Sequence, residues 1–206
     1  MRLLTRRTAL LAAAAAIGAN GAARADSGPE RPLHELYAAL EAAMRAGPGI
    51  PFAQRFDSLA PVVDRVFDLE TVLKVSIGLR WDGMDHDSRS RLMRAYRRFT
   101  IATYVANFSR YDGERFQILP GFRDLGPDRI VGTEIISRAE HLRLDYVMRG
   151  EGGRWRAVDV LFEGSISRVA VQRADFRKAL ASGDADALIA SLHRKIADLS
   201  DGALNS

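Results

Sequence analysis

Asp159 sits in the middle of WRAVDVLFEGSISR, residues 155–168, a run otherwise rich in the Val, Leu and Phe of a β-strand. A carboxylate facing an apolar pocket can act as a general base, and such a base needs a proton-transfer partner. His141 is the histidine that hairpin pairing could bring near it. The alternative is a structural carboxylate satisfied by backbone amides or by an arginine, the ordinary fate of a buried polar group. The structural role is the expectation here, because no histidine or nucleophile is forced beside Asp159 by spacing.

Other groups offer less chemistry. WDGMDHDS places Asp82, Asp85 and Asp87 within six residues, like half of a calcium loop, but Arg or Leu stands where the bidentate Glu is required. His34, His86, His141 and His193 are widely spaced, without metal-ligand pairing. Cysteine is absent, which removes thiolate nucleophiles, cysteine metal sites and disulfides. No glycine-rich phosphate loop, G-x-S-x-G elbow, zinc helix or kinase set is present. The expectation is therefore no catalytic residue, no metal and no cofactor.

The elements that position these groups follow from periodicity. DSGPERP, residues 26–32, reads as a linker, and a helix is expected from Leu33 to about Arg45, ended by GPGIP. Asp57 and Ser58 are expected to cap a helix carrying Leu59, Val62, Val63, Val66 and Phe67, with Pro61 in its first turn. Asp68 should cap the next, with Leu69, Val72, Leu73 and Ile77, and Gly78 should end it. Asp87 is expected to cap a long helix reaching about Arg110. One of its stripes is Leu92, Ala95, Tyr96 and Phe99. The opposite side begins with Arg91, Arg94, Arg97 and Arg98, of which Arg91, Arg94 and Arg98 are expected to face water, and turns apolar at Ile101, Tyr104, Val105 and Phe108. Its second half must be covered on both sides, by a thicker core or by a lipophilic ligand.

After YDGE the period changes to two. RFQILPGF, RIVGTEIIS, HLRLDYVMR and RWRAVDVLF are four strand candidates with short, turn-rich links, hence antiparallel neighbours. Closing the last hairpin at Glu151-Gly152 pairs Met148 with Trp155, Tyr146 with Ala157 and Leu144 with Asp159, and Val131, Thr133 and Ile135 join that face. Arg143, Asp145, Val147, Arg156, Val158, Val160 and Phe162 then share the other face. A short helix over Ala174 to Ala181 and a last one capped by Asp184, with Leu188, Leu192, Ile196 and Leu199, complete the chain. The expected class is α+β: a twisted antiparallel four-stranded meander packed with N- and C-terminal helices around a hydrophobic cavity.

MRLLTRR, then TALLAAAAAIGA, then AARA before Asp26 form the basic, apolar and small-residue regions of a secretory signal peptide over residues 1–25. Arg6-Arg7 keeps twin-arginine export open beside the general route. Among 206 residues there are 30 Lys and Arg and 26 Asp and Glu, and four of the arginines lie in this leader with no acid. The expected mature chain, a single domain over residues 33–200 with a 201–206 tail, is therefore formally neutral, which gives no nucleic-acid footprint.

Three segments in order resemble a known family: DRVFDLETVLKVSIGLRW, the long helix ending FSRYDGERF, and WRAVDVLFEGSIS running to Phe176. They are similar to the MlaC-like periplasmic phospholipid-binding proteins, also called toluene-tolerance auxiliary proteins. EGSISRVAVQRADF is about a residue longer than the usual family form and lacks its Asn-Tyr, which is closer to the hopanoid-biosynthesis-associated HpnM branch. The resemblance implies a non-enzymatic periplasmic shuttle for a phospholipid or a hopanoid. It would exchange lipid with membrane-bound transport complexes of the inner and outer membranes. The implied cavity lining is Leu73, Ile77, Tyr104, Val105, Phe108, Phe116, Ile118, Ile135, Leu144, Tyr146, Val158, Val160 and Phe162. The competing expectation is a pocket enzyme of the cystatin-like or nuclear-transport-factor-like type with Asp159 as base. A third is an envelope adaptor whose apolar surplus is only core and protein interface.

Overall fold

The computed structural model describes residues 28–138, 140–182 and 185–204. The leader, and Asp184 as a helix cap, lie outside the described residues. The helices are α1 (Arg31–Ala46), α2 (Phe52–Val66), α3 (Leu69–Ile77), α4 (His86–Asn107), α5 (Arg168–Ala179) and α6 (Ala185–Leu199). The strands are β1 (Arg115–Ile118), β2 (Arg123–Leu125), β3 (Asp128–Ile136), β4 (His141–Glu151), β5 (Arg154–Phe162) and β6 (Ile166–Ser167). They form one open antiparallel sheet in the order β1-β3-β4-β5-β6, with β2 also on β3. The fold is α+β, as the periodicities require.

Four helix expectations need correction at their ends. α1 starts at Arg31, so the linker loses its last two residues. α2 begins directly after Pro51, not at Asp57, because Phe52 and Phe56 carry the apolar stripe of Leu59, Val62, Val63 and Val66 backwards; Pro61 lies inside the helix. The cap of α4 is Asp85, which accepts the Ser88 backbone N–H at 2.8 Å and its hydroxyl at 2.7 Å. Those bonds hold the Asp85 carboxyl below its usual range. Asp87, in the first turn, pairs with Arg91 instead. α5 begins at Arg168, six residues before Ala174, because Ser167 caps it by accepting the Ala170 N–H at 2.9 Å. Asp68 caps α3 as its type predicts, accepting from Thr71 N–H at 3.2 Å.

The sheet has six strands where four were expected. β1 is the first half of RFQILPGF; the additional strands are β2, in the RDLGPD stretch expected to be a link, and β6, and β1 and β2 pair with successive parts of β3. The β4–β5 hairpin closes one residue later than expected, with Glu151 opposite Arg154. Gly152 and Gly153 both have positive φ, 58° and 77°, the two-residue turn that matches strand twist. Trp155 therefore faces Gly150, and Met148 faces Ala157. A bulge follows: Val147 faces Asp159, leaving Val158 as the extra residue, and beyond it Tyr146 faces Val160 and Leu144 faces Phe162. This moves Val160 to the inner face, against the expected alternation, while Val158 stays outside with Ile130 and Val147.

Helices cover the inner face. Phe67 bridges Ala157, and the Asp68 N–H donates to the Ala157 carbonyl at 2.9 Å, so the joint between α2 and α3 is tied to β5. Arg156 adds an ion pair to Asp68 at 3.1 Å. Arg91 and Arg98, expected to face water, instead tie the helices together, as does Arg97. Arg91 reaches Asp186 at the start of α6, Arg97 binds Asp64 on α2 through two hydrogen bonds, and Arg98 donates to the Leu204 carbonyl.

On the outer face Asp145, 1% exposed, accepts from Arg123 at 2.7 Å and from Arg143 at 3.0 Å. Removing one partner of a fully buried pair costs about 3–5 kcal/mol, but both arginines here can turn to water. Asp145→Ala is expected to lower stability by about 2 kcal/mol, measured by urea unfolding with an unchanged m-value.

Candidate functional site

Between the inner face of the sheet and helices α3, α4 and α5 lies a cavity of about 480 Å³. α4 supplies one wall through Tyr96, Phe99, Thr100, Thr103, Tyr104 and Asn107, which recur at three- and four-residue steps on one helical face, continued by Phe108. Phe67, Leu69 and Val72 close a second side at the tied joint and α3. The floor is the sheet, with Ile135, Leu142, Leu144, Tyr146, Val160 and Phe162. Val169 and Gln172 of α5 complete the enclosure beside Arg168, and Arg110, Glu114, Ser137 and Glu140 add polar groups to the lining.

A buried set of hydroxyls lies beside this floor. Thr133 Oγ1 donates to the Leu144 carbonyl at 2.7 Å, so the Tyr37 hydroxyl, 2.5 Å away, is the donor to Thr133. Tyr146 packs edge-on against the Tyr37 ring, with centroids 6.2 Å apart. Burial pushes the phenols of Tyr37, Tyr104 and Tyr146 up, and that of Tyr96 up to about 12. All four stay protonated at neutral pH. The rings also pack on one another: Tyr37 stacks on Phe116 at 4.7 Å, and Phe67 lies 5.5 Å from Tyr104.

Seven of the thirteen expected lining residues face this space: Tyr104, Phe108, Ile135, Leu144, Tyr146, Val160 and Phe162. Six do not. Leu73, Ile77 and Val105 are core, at 0%, 7% and 1% exposure, and do not border the cavity. Phe116 and Ile118 pack into the core from β1. Val158 is on the outer face, because the bulge interrupts the alternation that sequence spacing assumes. Tyr96 and Phe99, on one apolar stripe with Leu92 in the sequence, and Leu69 and Val72 of α3 are lining residues beyond the expected set. The spacing from Tyr96 through Thr100 to Thr103 was the available signal for that wall.

Asp159 is placed by the bulge. Its Oδ1 accepts the N–H of Val169 at 3.1 Å and of Val160 at 2.7 Å, and its Oδ2 accepts the Ser167 hydroxyl at 2.5 Å. It borders the cavity, yet its oxygens are committed to the first turn of α5. Negative charge is favoured there by the unsatisfied N–H groups of a helix start. His141 is not its partner: it contacts Glu134 at 3.1 Å and sits six residues along β4 from Val147, the residue opposite Asp159. That separation is roughly 20 Å at strand rise. Among the described residues, no cluster of three or more His, Cys, Asp or Glu side chains is arranged to hold a metal.

The comparisons agree with this architecture. A solved structure of a phospholipid-binding protein from Ralstonia solanacearum, in complex with a phospholipid, is similar with a TM-score of 0.72 and 16% identity, covering 84% of this chain and 98% of that one. At that identity the likeness is one of fold. No curated protein matches the chain. The family model described as MlaC protein matches residues 36–194, which takes in every helix and strand of the cavity. The chain belongs to the MlaC family.

Proposed function

We propose that this chain is a periplasmic lipid carrier that holds the apolar part of a lipid in the cavity between sheet and helices. It passes that lipid between membrane-bound transport components of the two membranes. The observation that carries the reading is the cavity itself: about 480 Å³, with a floor and walls built mainly from Phe, Leu, Val, Ile and Tyr. Transfer of each CH₂ from water is worth about 0.8 kcal/mol, so such a space binds acyl chains without directional chemistry. Family membership supports binding over catalysis, as does the commitment of the Asp159 oxygens to α5. The leader-like residues 1–25 support export to the periplasm.

A phospholipid is the class we assign, supported by the family and by the phospholipid in the Ralstonia structure. The stretch EGSISRVAVQRADF supports placement near the hopanoid-associated branch, so a hopanoid is the alternative outcome of the same test. Protein purified from the bacterial periplasm and extracted with organic solvent is expected to yield near-stoichiometric phospholipid by mass spectrometry. A hopanoid in its place reassigns the lipid. A protein that carries no lipid and takes none from vesicles overturns the carrier reading.

Leu144, at the centre of the floor, tests the cavity directly. Leu144→Trp is expected to cut lipid occupancy several-fold while circular dichroism stays native. Asp159 tests the competing enzymatic role. Asp159→Asn should retain bound lipid at wild-type stoichiometry. Asp159→Ala, which removes the acceptor for Val169 N–H and the Ser167 hydroxyl, should cost about 1–2 kcal/mol. For a chain of this size the melting temperature then falls by about 2–4 °C per kcal/mol. Lipid lost from Asp159→Asn at unchanged stability would give the carboxylate a role at the ligand.

A further inference from the structure

The end of β5 and the start of α5 carry exposed apolar side chains that the cavity does not consume. Phe162 lines the cavity yet is 40% exposed, and Ile166, its cross-strand partner, is 53% exposed. Val171, one turn into α5, is 52% exposed. The turn between β5 and β6 is held open to solvent by left-handed backbone at Glu163 and Gly164, φ 50° and 69°. The apolar edge is therefore continuous with the cavity wall at Phe162.

The charges beside this edge behave unlike those of α4. Arg91, Arg97 and Arg98 are bound to Asp186, Asp64 and the Leu204 carbonyl. On α5, Arg168, Arg177 and Lys178 are exposed and form no ion pair among the described residues, while Arg173 reaches to Gly78 on the side of the helix away from Val171. Against these three cations the helix has one carboxylate, Asp175. A chain whose expected mature part is formally neutral thus carries, among the described residues, an excess of positive charge on the helix that borders its cavity.

We propose that the β5–β6 turn and the exposed side of α5 are a docking surface for an anionic lipid bilayer. Ile166, Phe162 and Val171 enter the headgroup boundary, and Arg168, Arg177 and Lys178 lie over lipid phosphates. A few apolar side chains with flanking Arg and Lys suffice for reversible adsorption to an anionic surface. Three such residues bury too little for a stable protein interface, which favours the bilayer as occupant. The proposal rests on the carrier reading and adds to it where the cavity meets its lipid source.

The test is flotation of the lipid-loaded full-length mature protein with two vesicle types. One is phosphatidylcholine alone; the other contains about 30 mol% phosphatidylglycerol. Association is expected with the anionic vesicles only, and it should weaken when salt is raised from ~0.1 M to ~0.5 M. Ile166→Glu combined with Val171→Glu should lower partitioning about tenfold, and Arg177→Glu with Lys178→Glu should do so independently, with bound lipid unchanged. No association with anionic vesicles, as a protein-only docking face would give, overturns the proposal. So does association that neither pair of substitutions reduces. Failure of the wild-type protein to hold lipid strikes the carrier reading instead, and is read separately by mass spectrometry of the same sample.

Discussion

One extra residue in β5 sets the geometry on which the rest depends. With Val158 unpaired between the Ala157–Met148 and Asp159–Val147 pairs, the strand changes the side on which its later residues emerge. Val160 and Phe162 then turn inward to make the floor of the cavity, and Val158 turns outward to the small cluster with Ile130 and Val147. The same irregularity brings the Asp159 oxygens within reach of Ser167 and Val169. A carboxylate in a strand, an inward-facing apolar wall and the anchoring of a helix are thus three results of one backbone feature. An uninterrupted β5 with strict alternation would have put Val160 outside with Val158.

Much of the fold is legible because it rests on repeating spacing. The period-two runs gave four of the six strands, and the stripes of α1, α3 and α6 follow from their leucines and valines. What escaped has local causes. RVAVQRADF alternates as a strand might, so the start of α5 shows only in the Ser167 cap. A bulge has no compositional mark, and neither Val158 nor Asp159 announces that the alternation stops there. Gly152-Gly153 and Glu151-Gly152 are both plausible turns on residue type, and the choice between them shifts the paired residues across the hairpin. Leu73 and Val105 differ from Leu144 and Val160 only in what lies opposite them, and an apolar side chain carries no record of whether its neighbour is protein or empty space.

Arginine does two kinds of work in this molecule. On α4 it replaces cross-links in a chain without cysteine: Arg91 holds α6, Arg97 holds α2 and Arg98 holds the last turn of the chain. On the outer face of the sheet, Arg123 and Arg143 enclose Asp145, and Arg149 grips Asp128 at 2.7 Å. These pairs are partly exposed and individually modest in energy. Their value lies in direction, since each fixes one element against another while leaving the interior apolar. The cavity persists beside this frame because the helices are tied to the sheet at the Phe67–Asp68 joint and at the first turn of α5, rather than by packing through the space between.

The buried hydroxyls beside the floor have a consequence for what the floor offers. Tyr37 and Thr133 spend their hydroxyls on one another and on the Leu144 carbonyl. Neither borders the cavity; Tyr146, packed edge-on against Tyr37 with ring centroids 6.2 Å apart, does. That part of the floor is therefore ring and aliphatic surface, whereas Thr100, Thr103, Asn107 and Gln172 place polar groups on the helical walls. Floor and walls thus offer different things to whatever lies between them: shape on one side, hydrogen bonds on the other.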